Sequence, residues 1–401
     1  MQNKINKKSK IAVLGFGVEG RSLLNFLKHN HLYKNSEIWV LDSNKSIIVP
    51  RGVKKNLGKT HLKNLDQFNI IFRSPSISPL LPEIKSAIKN GIKVTSATNL
   101  FFELFGGKII GITGTKGKGT TSTMLYEIMK RADLSVYLAG NIGTPMLDLL
   151  SKTDKKSWVI LELSSFQLWD LKQSPTIAAL VDVFTDHLDN HKSLDDYYSA
   201  KLNIVRFQKK NDMVFFFSDN FLRNKIVHLA ESKKHEINLS QFKLLRSSDL
   251  KMIGRHNFKN AAMAASIAQN LGIDKKTILQ ALKNFHGLEH RLEFVRSLNG
   301  IDFYNDSAST NPMALIAAVN AVSEKYENII LIAGGINKNL SLVPLKQLNK
   351  NRKIKKVFLI GKSAKDIQKI IFKKDTVIIR NLDTAVKSAY TFFKKTLLRP
   401  V

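Results

Sequence analysis

Residues 108–125, "KIIGITGTKGKGTTSTML", join an apolar run to a glycine- and lysine-rich turn and then to a run of helix formers. That order confines the surrounding chain to a parallel α/β arrangement, because such a turn works where the C-terminal end of a strand meets a helix N-terminus. Glycines let backbone N–H groups converge on anionic oxygens, the helix start adds partial positive charge, and Lys118 supplies a full one. The usual phosphate loop closes G-K-[ST]; here Gly119 follows Lys118, and a hydroxyl arrives one residue late, at Thr120. An ordinary glycine-rich turn explains neither the lysine nor its place. Gly114, Thr115, Lys116, Gly117, Lys118, Gly119 and Thr120 are therefore read as a phosphate cradle with a displaced hydroxyl.

A second signal of this kind comes earlier in the chain. "KIAVLGFG", "EGRSLLNFLKHN" and "SEIWVLDSN" read as strand, amphipathic helix and strand, with Gly15-x-Gly17-x-x-Gly20 in the first turn and Asp42 ending the second strand. Alone, this fingerprint predicts NAD or FAD binding, and an NAD-dependent oxidoreductase is the alternative it raises. A second nucleotide-type loop and the lack of a hydride-transfer site argue against it. "VYLAGNIG", "SWVILELSSFQL" and "TIAALVDVFTDHLDNH" continue the alternation, and "IDFYNDSAST", "NIILIAGGINK" and "KKVFLIGKSAKD" are three further strands leading into polar or glycine-rich loops. The expectation is α/β throughout, in three domains that are each Rossmann-like or doubly wound: 1–100, 101–288 with the P-loop-type cradle, and 289–401.

Composition narrows the partners. Sixty-three Lys and Arg against 32 Asp and Glu give a net charge of +31, which invites a nucleic-acid reading. The lysines are spread along the whole chain, and no zinc-ligand spacing or aromatic-interleaved basic motif accompanies them, so nucleic acid is not expected as a partner. The absence of Cys excludes disulfides and thiol nucleophiles, and suits a cytoplasmic protein. No run approaches the roughly 18 apolar residues that a membrane span requires.

Several polar residues sit where apolar strands end. Glu162 closes "WVILE", and a carboxylate there, beside a phosphate loop, is a natural Mg²⁺ ligand or water positioner. "VFTDHLDNH" packs Asp186, His187, Asp189 and His191 together, where His187 fits either a metal ligand or a surface histidine. Lys201 in "SAKLNI" reads on helical spacing as a solvated lysine; His256, Asn257 and Asn260 read as helix-capping residues, and Arg291 as a partner for Glu293.

Together these pieces resemble the Mur ligase family. The resemblance is carried by "GTKGKGT" at 114–120, "GNIG" at 140–143, "LELSSFQL" at 161–168, "TDHLD" at 185–189, "AKLNI" at 200–204, "GRHNFKNA" at 254–261, "HRLEFV" at 290–295, "NDSASTNP" at 305–312 and "GGINK" at 334–338. It implies an ATP-dependent amide ligase that joins glutamate to UDP-N-acetylmuramoyl-L-alanine through an acyl phosphate, as a monomer in cytoplasmic peptidoglycan synthesis. A ligase adding L-glutamate or another amino acid, and an inactive ligase, are the alternatives. The resemblance implies ATP and Mg²⁺ as cofactors, and Lys118, His187 and a carbamylated Lys201 as catalytic residues. Thr120, Glu162, His187 and Lys201 would hold metal, and Asn257, Asn260, Arg291 and Asp306 would contact nucleotide. Val18, Glu19, Asp42, Ser74 and Asn141 would meet the UDP-linked substrate, and Thr310 and Lys338 the incoming glutamate. Departures are Gly119, Ala308 where the family has lysine, Ile336 where it has an acid, and the stop at "KKTLLRPV", which implies a truncated third domain.

Overall fold

Short apolar runs pair as parallel strands where the connection after each, most often a helix, returns the chain to the same end of the sheet. The computed structural model describes residues 9–31, 33, 35–184, 191–309, 311–337, 340–371 and 375–396. The first sheet comprises β1 (Lys10–Leu14), β2 (Glu37–Asp42), β3 (Lys54–Leu57), β4 (Ile70–Arg73) and β5 (Lys93–Thr95), all parallel, in the order β3-β2-β1-β4-β5. The order reverses between β1 and β4, so the loops after these strands face the crevice where ligands of such sheets bind. They also touch. Gly15 has φ +90°, and a Cβ there would meet the Ser74 Cβ at 2.6 Å.

The second sheet holds β6 (Lys108–Thr113), β7 (Val136–Gly140), β8 (Trp158–Glu162), β9 (Ile177–Leu180), β10 (Met213–Phe217) and β11 (Lys233–Ile237) in the order β11-β10-β9-β6-β8-β7, again parallel. Here β6 lies between β8 and β9, so the turn after Thr113 opens at the switch point, and Glu162 is in register with Ile112 on the neighbouring strand. One buried cluster joins the two sheets: Val13, Val40 and Phe72 from the first belong with Val159, Leu161 and Leu180 from the second. The helix Val18–His29 contributes Leu23, Leu24 and Leu27 to it, which is why an amphipathic stripe follows the first glycine turn.

By its contacts the chain divides into two compact units: Met1–Leu245 with Lys259–Leu282, and Arg246–Phe258 with Lys283–Val401. In the second unit β12 (Glu293–Leu298) and β13 (Ile301–Asn305) form an antiparallel hairpin, while β14 (Ile329–Gly334), β15 (Ile354–Ile360) and β16 (Thr376–Ile378) form a parallel sheet. The strand–loop alternation alone does not announce this hairpin. Its two-residue connection is Asn299-Gly300, with φ +51° and +75°, and that dipeptide fits the twist of paired strands because both positions need left-handed backbone.

Gly140 ends β7 with φ +104°, and a Cβ on it would lie 2.3 Å from the Glu162 carbonyl oxygen. Gly140→Ala should therefore lower folding stability by about 2 kcal/mol or more, read as a fall in the urea midpoint; an unchanged midpoint would mean that β7 and β8 part without cost.

Candidate functional site

The turn after β6 is built on glycines whose backbone conformation strains any side chain placed there. Gly114 has φ +154° and Gly117 φ +88°, and a Cβ on Gly117 would lie 2.3 Å from Asn260 Oδ1. Thr115 N donates to Asp182 O at 2.7 Å, which ties the turn to the end of β9. The Thr115 hydroxyl meets Tyr197 OH at 2.8 Å and accepts from Phe184 N at 2.9 Å. The helix Lys118–Arg131 begins directly after Gly117 and points its N-terminus into the turn.

Two ammonium groups converge on this turn. Lys118 Nζ donates to Gly114 O at 3.0 Å and Thr115 O at 3.1 Å, and Lys201 Nζ donates to the same Gly114 O at 2.7 Å. Lys201 is 2% exposed and also lies 4.6 Å from the centre of the Tyr197 ring, so the solvated-lysine reading fails. Helical spacing put it on the wrong face because the helix Leu194–Arg206 buries Tyr197, Tyr198, Ala200, Lys201 and Leu202 against the sheet.

Glu162 ends β8 at 4% exposure. Asn141 Nδ2 donates to its Oε1 at 3.1 Å and Asn141 N to its backbone oxygen at 2.9 Å, whereas Oε2 is buried with no hydrogen-bond partner. An orphan carboxylate oxygen beside a phosphate-type turn fits a divalent cation, because Mg²⁺ needs only one or two carboxylates and completes its shell with water and phosphate. Thr121 spends its hydroxyl on Asn260 Oδ1 at 3.3 Å, leaving half-buried Thr120 as the other hydroxyl of that helix turn. Residues 185–190, including His187, and likewise Thr310 and Lys338, lie outside the described residues.

Asn257 and Asn260 lie within the helix Arg255–Asn270 rather than capping it. Asn260 braces Gly117 and Thr121, and Asn257 Nδ2 donates to Ile253 O at 2.8 Å. Lys259, which sequence reasoning passed over, donates to Asp182 Oδ1 at 2.5 Å and Asp219 Oδ1 at 3.0 Å. It fixes the segment whose carbonyl receives Thr115 N. A lysine inside the apolar run "NFKNAAMAASIA" was the available signal.

In the second unit Arg291 is exposed and is not paired with Glu293, whose carboxylate instead accepts from His290 N at 2.9 Å. Asp306 Oδ1 accepts from Leu292 N at 2.9 Å, and its Oδ2 is buried without a partner. His290 and Leu292 both have positive φ, +65° and +44°, an uncommon backbone for non-glycine residues that marks this turn as held by its surroundings.

In the first sheet Val18 is 73% exposed at the start of its helix. Asp42 uses both oxygens locally, accepting from Phe16 N at 2.7 Å and Asn44 N at 2.8 Å, so it shapes the glycine turn. Ser74 Oγ lies 3.3 Å from Ser76 Oγ. Glu19 turns inward, where Gln167 Nε2 donates to its Oε1 at 2.7 Å.

Three family profiles match in the expected order: "Mur ligase MurD-like, N-terminal domain" at residues 9–96, "Mur ligase middle domain" at 112–268 and "Mur ligase, glutamate ligase domain" at 290–395. A UDP-N-acetylmuramoylalanine–D-glutamate ligase from Acetivibrio thermocellus is 33% identical, covering 98% of this chain and 92% of that protein. The chain belongs to the Mur ligase family. A second relative of this Mur ligase, from Clostridium acetobutylicum and bearing the same name, is 33% identical over 96% of this chain and 89% of its own. Solved structures agree on the three-domain fold. MurC from Thermotoga maritima matches with TM-score 0.56 at 17% identity, over 96% of this chain and 99% of its own; MurF from Acinetobacter baumannii matches with TM-score 0.57 at 15%, over 97% and 88%. No helix among the described residues is long and apolar enough to cross a membrane.

Burial holds the Glu19 carboxyl above the usual carboxylate range, against the opposing pull of the Gln167 hydrogen bond and the Arg73 charge. Unfolded, this group releases its proton near 4.5; folded, it does so at higher pH, so its contribution to stability is complete below 4.5 and is lost as pH rises through the folded value. Urea unfolding of Glu19→Gln against the parent should show a stability difference that moves in favour of the variant from pH 4.5 upward and then levels. A flat difference would mean that Glu19 titrates alike in both states.

Proposed function

We propose that this Mur ligase joins D-glutamate to UDP-N-acetylmuramoyl-L-alanine with hydrolysis of ATP, in the cytoplasm, as a step in building peptidoglycan precursors. The observation that carries this reading is the meeting of Lys118 and Lys201 on Gly114 O, next to a strand that ends in the half-satisfied carboxylate of Glu162. The names of the full-length relatives support the choice of substrates.

A carboxylate is a poor electrophile. In this reading the alanyl carboxylate oxygen takes the terminal phosphoryl group of ATP, and ADP leaves. The glutamate amine then attacks the acyl carbon, phosphate departs with the C–O bond pair, and the amine gives up a proton. Lys118 and the backbone N–H groups of the turn hold the phosphates and offset charge that builds during transfer. Mg²⁺, when bound, would neutralise phosphate charge, with Glu162, Thr120 and His187 as its protein ligands. Lys201 would join that set if carbamylated, a change that turns a buried cation into an anion. Asn141, fixed by Glu162, would face the muramoyl portion, and the loops carrying Val18 and Ser74 the UDP portion. In the second unit Asn257, Arg291 and Asp306 would contact nucleotide, and Thr310 and Lys338 glutamate.

Phosphate release with UDP-N-acetylmuramoyl-L-alanine should be stimulated by D-glutamate and not by L-glutamate; the reverse preference would select the L-glutamate ligase. Lys118→Ala should cut coupled phosphate release at least 100-fold, the scale of losing one preorganised charge-stabilising group. Glu162→Gln should raise the Mg²⁺ concentration for half-maximal rate about ten-fold or more, since an uncharged amide is a weaker Mg²⁺ ligand. Unchanged turnover in the first, or an unmoved metal titration in the second, would remove that residue from the assignment.

A further inference from the structure

At the first glycine turn, Glu19 and Arg73 line a partly open pocket of about 10 Å³, together with Gly15, Ser74 and the apolar Leu23 and Phe72. Two buried polar atoms on its walls, Glu19 Oε2 and Arg73 Nε, have no hydrogen-bond partner. A space of this size admits one water, and the two unpartnered atoms would give that water an acceptor and a donor in an otherwise largely apolar lining. Arg73 is otherwise engaged: Nη1 donates to Ser74 O at 3.1 Å and Ile77 O at 2.5 Å, and Nη2 stands 3.0 Å from Asp170 Oδ2, outside hydrogen-bonding geometry.

Glu19 reaches from the first turn of the helix Val18–His29 to Gln167, and Gln167 leads on to the catalytic strand. The Gln167 side-chain oxygen accepts from Ser164 N at 2.9 Å and Ser164 Oγ at 3.1 Å, while its Nε2 donates to Glu19 at 2.7 Å. The carboxamide is thus held at both ends and cannot flip without losing bonds. The Ser165–Leu168 helix is four residues long, too short to persist on its own, so it depends on this capping box. Ser164 lies two residues after Glu162.

We propose that Glu19 is a positioning residue for ligation: through Gln167, and with one water bridging it to Arg73, it sets the turn that orients the Glu162 carboxylate. The glycine turn that would hold the UDP portion and the strand that ends in the metal-facing carboxylate are thereby one hydrogen-bonded unit. This inference rests on the reading of Glu162 given above.

The test is amide hydrogen exchange at Gln167 and Leu168 in the ligand-free protein, followed by the Mg²⁺ dependence of the rate. Glu19→Ala should speed exchange at both amides about ten-fold and raise the Mg²⁺ half-saturation about ten-fold, the scale of losing one hydrogen bond to a charged group. Glu19→Gln, whose carbonyl accepts the same bond, should restore both. Gln167→Met, which also removes the acceptor for Ser164, should move both readouts at least as far as Glu19→Ala, and the double variant should be no worse than Gln167→Met alone, because Glu19 acts through Gln167. If Glu19→Ala fails to fold, Glu19→Asp, which withdraws the carboxylate by one methylene, should move both readouts in the same direction. Unaltered exchange, or additive effects in the double variant, would overturn the proposal. Glu162→Gln separates the two ideas: if it leaves the Mg²⁺ titration unmoved, the reading of Glu162 is at fault, whereas if it moves the titration and the Glu19 variants do not, only the present inference falls.

Discussion

One carbonyl oxygen organises the glycine turn after β6. Gly114 O receives Lys118 from the helix that follows it and Lys201 from a helix far along the chain. The left-handed backbone at Gly114 turns that oxygen toward both, and Val181 crowds the place where a side chain would be, with 2.4 Å between its Cγ2 and any added Cβ. Bringing two like charges together in a partly buried turn is costly unless negative charge joins them. In the reading proposed above, a polyphosphate would bring negative charge to this turn.

Sheet topology explains why these groups meet. The turn opens beside β6, with β8 as the next strand on one side and β9 on the other, so Glu162 and Asp182 flank it from the ends of neighbouring strands. Binding at the reversal point is a consequence of parallel crossovers, which leave a gap where successive connections diverge to opposite faces. The first sheet repeats the device, with Gly15 and Ser74 at its own reversal, and the common core makes the two sheets a single packed body rather than two beads on a linker.

Local pattern made much of this legible. The glycine turns, the parallel strands and a carboxylate ending a buried strand each depend on residues close in sequence, and the structure has them where spacing put them. What escaped was the direction of polar side chains, which is settled by neighbours remote in sequence. Lys201 looked solvated until its helix was seen to bury that face. Asp42 gave no sign in the sequence that both of its oxygens accept from the adjacent turn. Glu19 points inward to Gln167, and Arg73, fully buried at the end of "IIFR", was visible only as a charge closing an apolar run. His191 falls in the same class: buried between Phe166 and Trp169, it meets Ser165 Oγ at 3.0 Å and Asp196 Oδ2 at 3.2 Å, where the sequence offered only a histidine in a polar loop. The hairpin also went unread, although Asn299-Gly300 is a dipeptide that suits such a turn.

The grip of Lys259 and Asn260 on the turn has a consequence for biogenesis. These adjacent residues secure Asp182 on one side of it and Gly117 with Thr121 on the other, and the Asn260 contact spans 139 positions of sequence. A nascent chain can pair β6 with β8 as soon as both have left the ribosome, but the turn between β6 and its helix lacks these braces until residue 260 has emerged. Bracing of the turn is therefore completed late, by a segment that follows the last strand of that sheet.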